Sequence, residues 1–348
     1  MLSSTVYLRD SADMAHDPFS EILRFTRAES LMTGGFTAGG TWALRFPAPD
    51  KIKFFAVVKG ACWVCIDGEA EPIPFGSGDV GLLTAKRSFV LASEPGATPV
   101  DAMAVFSSAG SSTATLGDGR DFEHIGGHVQ LDPASGRFLA DALPPWIHVP
   151  AASPQAASFR WLLHELVQER AAGLPGTHLA SAQLAQLLFI QILRAHLQAS
   201  GPLQVGWLRA LGDPRLAPAL RLMHGDPARS WRLDELAQAC AMSRTTFALR
   251  FRTTAGVAPL TYLAEWRMRL AERSLREEST AVAQVAQSLG YTSESAFSNA
   301  FRRMVGHSPR AYRAATRAAI SHAPAGKGSD GQAAGVAIQT ASRTAGLR

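Results

Sequence analysis

Residues 240–262 read CAMSRTTFALRFRTTAGVAPLTY, and residues 290–312 read GYTSESAFSNAFRRMVGHSPRAY. At an offset of 50, Phe247 falls on Phe297, Phe251 on Phe301, Gly256 on Gly306, Pro259 on Pro309 and Tyr262 on Tyr312. A short helical pattern precedes each copy: Leu233, Leu236, Ala237 and Cys240 in one, Val282, Val285, Ala286 and Leu289 in the other. Self-similarity at a fixed period marks a duplicated supersecondary unit. A short helix, a tight turn and a second helix with an apolar i, i+4 seam is the layout of a helix-turn-helix. Two in tandem suggest a protein that reads two consecutive stretches of DNA groove.

Each unit divides into a core side and a reading side. In the first, Asp234 and Glu235 stand in the opening turn, where carboxylates suit the helix dipole. Ser243 is a good N-cap for the second helix. Phe247 and Phe251 point inward, which leaves Arg244, Thr245, Ala248 and Leu249 as candidate base contacts. In the second unit Gly290 closes the first helix at a position that often needs positive φ. Ser293 caps the next helix, and Phe297 and Phe301 anchor it. Glu294, Ser295, Ser298 and Asn299 are its candidate base contacts, with Asn299 suited to a bidentate pair with adenine. Arg252, Arg302, Arg303 and Arg310 suit phosphates.

The charge distribution agrees. Residues 230–320 hold 13 Lys and Arg against 7 Asp and Glu, whereas residues 1–229 hold 18 against 21. The positive excess travels with the repeated helices, as a phosphate-facing surface requires.

Upstream, residues 18–108 read mostly as β. TWALRFPA, FFAVVKGACWVCIDG, DVGLLTA and SFVLASE are short, β-branched or aromatic, and broken by Gly, Pro and Asp. Asp67-Gly68 is a hairpin signal. Many short strands at close spacing predict an antiparallel barrel or sandwich. Residues 109–121 read as an exposed loop. Helix takes over after Pro154, with apolar residues at helical spacing over 159–167 and 179–197. The second of these helices is apolar on more than one face, so Leu187, Leu188 and Ile190 are expected in a homodimer contact. Residues 200–206 look like a linker, and the small, polar stretch 321–348 like a disordered tail.

The C-terminal region closely resembles the DNA-binding module of the AraC/XylS family of transcriptional regulators. The family's second-unit signature is close to GY.S.S.F...F....G.SP..YR, and this chain reads GYTSESAFSNAFRRMVGHSPRAYR from Gly290 to Arg313. The helix LTYLAEWRMRLAERSLRE between the units resembles the family's connecting helix, and the likeness covers about 210–316. Two positions depart from it. Ala241 stands at a turn position where the family often has Gly. Leu249 and Asn299 stand where many members carry Arg, so base preference does not transfer. The N-terminal half, through WALRFPAPD, GACWVCIDGEAEPIPFGSGDVGLL and LPPWIHV, is similar to the cupin-type sensor domain of one branch of the family.

The expected fold is therefore α+β and multidomain. It comprises an N-terminal antiparallel, cupin-like β-barrel sensing domain (1–150), a helical dimerisation or linker segment (151–204), an all-α double helix-turn-helix domain (205–320) and the tail (321–348). The expected function is a sequence-specific, ligand-responsive transcriptional activator. Its expected partners are double-stranded promoter DNA, RNA polymerase, a small-molecule effector and a second copy of the chain. Trp42, Phe54, Trp63 and Phe89 are the candidate effector contacts. No cofactor, metal or catalytic residue is expected.

Rival chemistries are less well supported. Cys62 and Cys65 form a C-x-x-C, the basis of an alternative redox-sensing regulator, but residues three apart in a strand face opposite sides. A cupin-type metal enzyme is a second alternative. Only His16 precedes residue 109, and His124, His128 and His148 are scattered. No run approaches the roughly 20 apolar residues of a membrane span. The N-terminus lacks the basic start and apolar stretch of a secretory signal, so the cytoplasm is the expected location.

Overall fold

A computed structural model describes residues 17–110, 113–199, 205–277 and 280–322. The expected linker lies largely outside these residues, and the expected tail almost wholly so.

The chain enters through helix α1 (Pro18–Phe25). Strands β1 (Glu29–Ala38), β2 (Ala43–Phe46), β3 (Ile52–Lys59), β4 (Ala61–Ile66), β5 (Ile73–Gly76), β6 (Val80–Leu83), β7 (Phe89–Ala92) and β8 (Val100–Asp101) follow. Helix α2 (Ala102–Ala109) precedes β9 (Thr113–Leu116) and β10 (Phe122–Gln130). A short helix α3 (Arg137–Ala140) precedes β11 (Trp146–Val149). Two long helices, α4 (Ala156–Ala172) and α5 (Thr177–Gln198), complete this half.

The strands form two sheets, of order β11-β6-β3-β10-β1-β9 and β5-β4-β7-β2-β8, rather than a closed barrel. Most pairings are antiparallel, but β1–β9 and β2–β8 are parallel. The alternation along β3 explains the layering. Phe55 and Val57 turn into the core between the sheets, with Phe36, Leu44, Val64, Phe89 and Leu91. Ile52, Phe54 and Ala56 turn to the other side, where Phe159, Leu163, Leu166, Leu188, Phe189 and Ile192 of α4 and α5 cover the six-stranded sheet.

The structure departs from the sequence expectation at several points, helix α2 in the expected β region among them. Residues 18–25 are helical. Asp17 accepts from the backbone N–H groups of Phe19 and Ser20, Pro18 opens the helix, and Phe19, Ile22, Leu23 and Phe25 form its buried face. Residues 113–116, expected in a loop, add an edge strand to β1, because β pairing satisfies backbone groups whatever the side chains. Leu188, expected at a dimer contact, is fully buried within the chain, and Ile190 packs against the same core. One broad apolar face of α5 is consumed by the sheet, which leaves Leu179 and Leu187 exposed.

Beyond residue 205 the protein is all helical: α6 (Trp207–Gly212), α7 (Ala217–Gly225), α8 (Leu233–Ala239), α9 (Arg244–Ala255), α10 (Pro259–Glu277), α11 (Val282–Ser288), α12 (Glu294–Val305) and α13 (Pro309–His322). The two halves touch. Ile22 and Phe25 of α1 meet Trp266 of α10, with Phe138 and Trp207 packed around them. Arg276 of α10 donates to Asp132 of the β half at 2.9 Å. Burial alone would raise the Asp132 carboxyl. Hydrogen bonds from the backbone and hydroxyl of Ser135 and from Arg276 outweigh it and hold the group well below the usual carboxylate range.

Candidate nucleic-acid interface

The first helix-turn-helix comprises α8 and α9, the second α11 and α12. Counted from the second helices the units are 50 residues apart, but the apolar seam of the first helices repeats at 49, so the second turn is one residue longer. Both turns pass through a left-handed residue, Ala241 at φ 51° and Gly290 at φ 79°. Glycine takes that conformation without strain, whereas alanine does so at a cost.

Each second helix is then capped in the same way. The Ser243 hydroxyl accepts from the Thr246 N–H at 3.2 Å, and the Ser293 hydroxyl from the Ala296 N–H at 3.1 Å. Both helices end on a left-handed glycine, Gly256 and Gly306. Phe247, Phe251, Phe297 and Phe301 are fully buried; Phe247 packs on Phe251 and Phe297 on Phe301, and Phe251 and Phe301 meet Tyr262 and Tyr312 edge-on. They set how each helix stands.

Because the seam is the same, the outward faces are the same. Thr245 and Ser295 are exposed, Ala248 and Ser298 half-buried, Leu249 and Asn299 exposed, and Arg252 and Arg302 exposed. Arg244 is exposed and Glu294 half-buried at the matching position. Arg303 is exposed as well. Two candidates carry local partners. Arg310 lies 3.1 Å from Glu294, and Arg244 lies 3.7 Å from Asp234. Both are surface pairs, worth about 0–1 kcal/mol, so an incoming phosphate can compete with them. Arg250 behaves differently. It is turned to Asp213, 2.8 Å away, and ties α9 to the end of α6.

Helix α10 joins the two units and packs on both. Tyr262 and Leu263 near its start belong to the core of the first, and Met268, Ala271 and Leu275 further on belong to the core of the second. Its 19 residues therefore serve both cores at once. Arg267 on this helix donates to the carbonyls of Pro227 and Arg229 at 2.5 and 2.8 Å. The loop so braced lies against the second turn, where a Cβ on Gly290 would come within 1.8 Å of the Ala228 carbonyl oxygen. These braces carry no sequence signature, since they depend on carbonyls that any residue supplies.

The effector candidates do not come together. Trp42 and Phe89 lie in the core between the sheets, and Trp42 packs on Phe36 and Phe122 at 5.2 and 4.6 Å between ring centroids. Phe54 faces α4 and α5 instead, because Phe55 beside it takes the inner side. Trp63 is half-buried and alternates in β4 with the inward Cys62 and Val64. A single pocket cannot be lined by side chains on three different surfaces.

Cys62 and Cys65 face opposite sides of β4, as strand alternation requires. Burial pushes the Cys62 thiol up to about 12, with the Asp79 charge adding to it. Burial also raises Cys65, partly offset by Arg45. Both shifts suppress the reactive thiolate. Among the described residues, no group of three or more His, Cys, Asp or Glu side chains is placed to hold a metal ion. Among them, too, no helix is long and apolar enough to cross a membrane.

Comparison with known proteins agrees with this division. Residues 17–198 match a family model described as Cupin, and residues 236–315 one described as Helix-turn-helix domain. The chain is 42% identical over 297 residues to an AraC-like transcription regulator of Streptomyces lividans, an alignment spanning 85% of this chain and 98% of that protein. It is 43% identical, with the same coverage, to an AraC-like transcription regulator of Streptomyces antibioticus. Among solved structures, the DNA-binding domain of AdpA in complex with a target DNA is 36% identical. That match has a TM-score of 0.30 and covers 32% of this chain and 99% of that domain.

Proposed function

This chain belongs to the AraC-like transcription regulators, and is a DNA-binding regulator with an N-terminal cupin domain; on that footing we propose that it activates transcription by seating α9 and α12 in two successive major-groove segments. One observation carries the reading. The two helices present the same alternation of exposed and buried positions, offset by 50 residues, on units held apart by one shared helix. Two like faces on one shared connecting helix suit successive major-groove segments about one helical turn, roughly 34 Å, apart on one side of a duplex.

The reading gives each position a task. Arg244, Thr245, Ala248 and Leu249 of α9, and Glu294, Ser295, Ser298 and Asn299 of α12, meet base edges. Leu249 is exposed and apolar, and suits a thymine methyl group; Asn299 suits adenine. Arg252, Arg302, Arg303 and Arg310 hold phosphates and fix register without selecting sequence. The β half senses a small molecule, and its contacts to α10 through α1 and Asp132 are the route by which occupancy changes DNA binding. Trp161 of α4 and Leu179 and Leu187 of α5 are exposed apolar side chains, and suit a contact with a second copy of the chain. RNA polymerase is the partner through which it activates, and the cytoplasm its place of action.

Mapping of bound genomic fragments, followed by hydroxyl-radical footprinting on a recovered site, tests the proposal. The expected footprint is two protected patches about one helical turn apart on one face, retained against excess unrelated DNA at moderate salt. A single patch, or binding that unrelated DNA removes in proportion to its amount, refutes it.

A further inference from the structure

The two helix-turn-helix units have separate apolar cores. Helix α10 belongs to both, but apolar packing is non-directional and does not by itself fix the twist of one unit against the other. A second link joins them. The loop 226–231, between α7 and α8 of the first unit, lies against the turn of the second. A Cβ on Gly290 would stand 1.8 Å from the Ala228 carbonyl oxygen, 2.7 Å from the carbonyl carbon and 3.1 Å from the Cα. Main chain meets main chain here, with no flexible side chain between them to yield.

The loop is fastened to the first unit. Trp231 is buried in that unit's core, and its ring N–H donates to the Asp226 carbonyl at 2.9 Å. The Asp226 carboxylate accepts the Arg229 N–H at 3.1 Å. Arg229 lies 4.0 Å over the Trp231 ring and 2.7 Å from Glu235 of α8. Arg267 of α10 then closes the arrangement. Its Nε donates to the Pro227 carbonyl at 2.5 Å, and one terminal nitrogen to the carbonyls of Arg229 and Ala228 at 2.8 and 3.4 Å. The same guanidinium stands 5.9 Å from the centre of the Tyr291 ring, in the second unit. Tyr291 follows Gly290 and packs edge-on against Phe297 of α12, with centroids 5.4 Å apart. One side chain thus holds the first unit's loop and touches the ring that backs the second recognition helix. The planar fork of arginine binds several acceptors in a fixed geometry, which the point charge of lysine does not reproduce.

We propose that Arg267 is a positioning residue for DNA reading: by pinning the loop 226–231 against Gly290 and Tyr291 it fixes the angle between α9 and α12, and with it the spacing of groove segments that the chain accepts. The inference deepens the reading of α9 and α12 as two groove-binding helices and rests on it. Arg267 acts through the two helices and not on the bases. A rigid pair of units meets both segments at one separation and one rotation about the duplex axis. One base pair inserted between the segments moves the second by about 3.4 Å and turns it by about 35°. The rigid pair must then give up one segment or deform the DNA. A pair released from the clamp follows the displaced segment by turning on α10. Its greater freedom is lost on binding, so it also binds the unaltered site less tightly.

The test uses the full-length protein and a duplex recovered by in vitro selection from a random-sequence pool, its two protected segments mapped by footprinting. Fluorescence anisotropy compares three duplexes: the recovered site, the site with one base pair inserted between the segments, and the site with the second segment scrambled. Wild type is expected to bind the inserted duplex about tenfold less tightly than the recovered one, or worse. Arg267→Met removes the fork and is expected to shrink that ratio to about threefold or less. Arg267→Lys keeps the charge without the fork, and its ratio is expected to fall between the two. The scrambled duplex, read by α9 alone, should bind all three proteins alike. A merely structural role would instead weaken every duplex by one factor and leave the ratio at its wild-type value. That result in Arg267→Met overturns the inference, and Arg267→Lys decides in its place if the methionine variant lacks the wild-type circular dichroism. Wild type that binds the inserted and recovered duplexes alike overturns the inference together with the two-groove reading. Wild type and variants that discriminate equally strongly leave that reading standing and remove only the role of Arg267.

Discussion

Two reciprocal substitutions in the two turns should have opposite effects. Ala241 holds φ 51° with an exposed Cβ, so its methyl group is strained and packs on little. An L-residue in that region costs about 1–2 kcal/mol. Glycine removes this cost, but its freer unfolded chain returns about 0.4–1 kcal/mol. Ala241→Gly is therefore expected to stabilise the protein by about 0.5–1 kcal/mol. Gly290→Ala runs the other way. It incurs the same left-handed cost, and its Cβ would stand 1.8 Å from the Ala228 carbonyl oxygen, on a loop braced by Arg267. Relieving a clash with backbone adds about 1–3 kcal/mol, for a total loss of roughly 2–5 kcal/mol. Urea unfolding followed by circular dichroism and tryptophan fluorescence measures both. DNA affinity should follow only the second, because Ser293 caps α12 three residues beyond Gly290. A destabilised Ala241→Gly, or a Gly290→Ala protein as stable as wild type, would refute the assignment of these turns.

Other outcomes follow from the same geometry. Asn299→Ala should cost about 1–3 kcal/mol at one base position and relax selectivity there, whereas Arg302→Ala should weaken all sequences alike and lower the salt slope by about one, both read from binding to a panel of mutated sites. Leu187→Glu should leave folding intact and shift sedimentation toward monomer, while Leu188→Glu, in the sealed core, should unfold the β half; a folded Leu188→Glu protein contradicts the packing described above. Arg276→Met should lose about 1–3 kcal/mol at neutral pH by removing the charged partner of Asp132, which keeps only its bonds from Ser135. The Asp132 carboxyl is held below its unfolded value of about 3.9, so its stabilisation is complete above that pH and is lost as pH falls toward the folded value. The gap between wild type and variant should therefore narrow below about pH 4 in urea midpoints, and a gap that widens in acid excludes the linkage.

Much of the DNA-binding half was legible because its determinants are local. Ser243 and Ser293 cap the residues that follow them, Phe247 and Phe251 or Phe297 and Phe301 are one helical turn apart, and Gly290, lacking a Cβ, adopts the left-handed conformation without strain. Periodicity and capping are written within ten residues and repeat when the unit is duplicated. The β half was legible only as a class. Its strands were recognisable by composition, but whether they close into a barrel depends on pairings such as β1 with β10 across nearly a hundred residues. The helix α1 was missed although Asp17, Pro18 and the spacing of Phe19, Ile22 and Leu23 declare it. The effector candidates lie on different surfaces for a simpler reason: successive residues of a strand face opposite sides, and Phe54 and Phe55 look in opposite directions.

The sequence by itself determined the duplicated helix-turn-helix, its buried seam and its outward residues, because helix period and capping act over neighbouring residues. Tertiary structure decided the rest. Only the packed chain shows that Leu188 is spent on the sheet, that α10 serves both cores, and that Arg276 reaches Asp132. Each is a contact between residues far apart in the chain. Such contacts are set by which surfaces remain to be buried once the local elements have formed, and no local pattern records that.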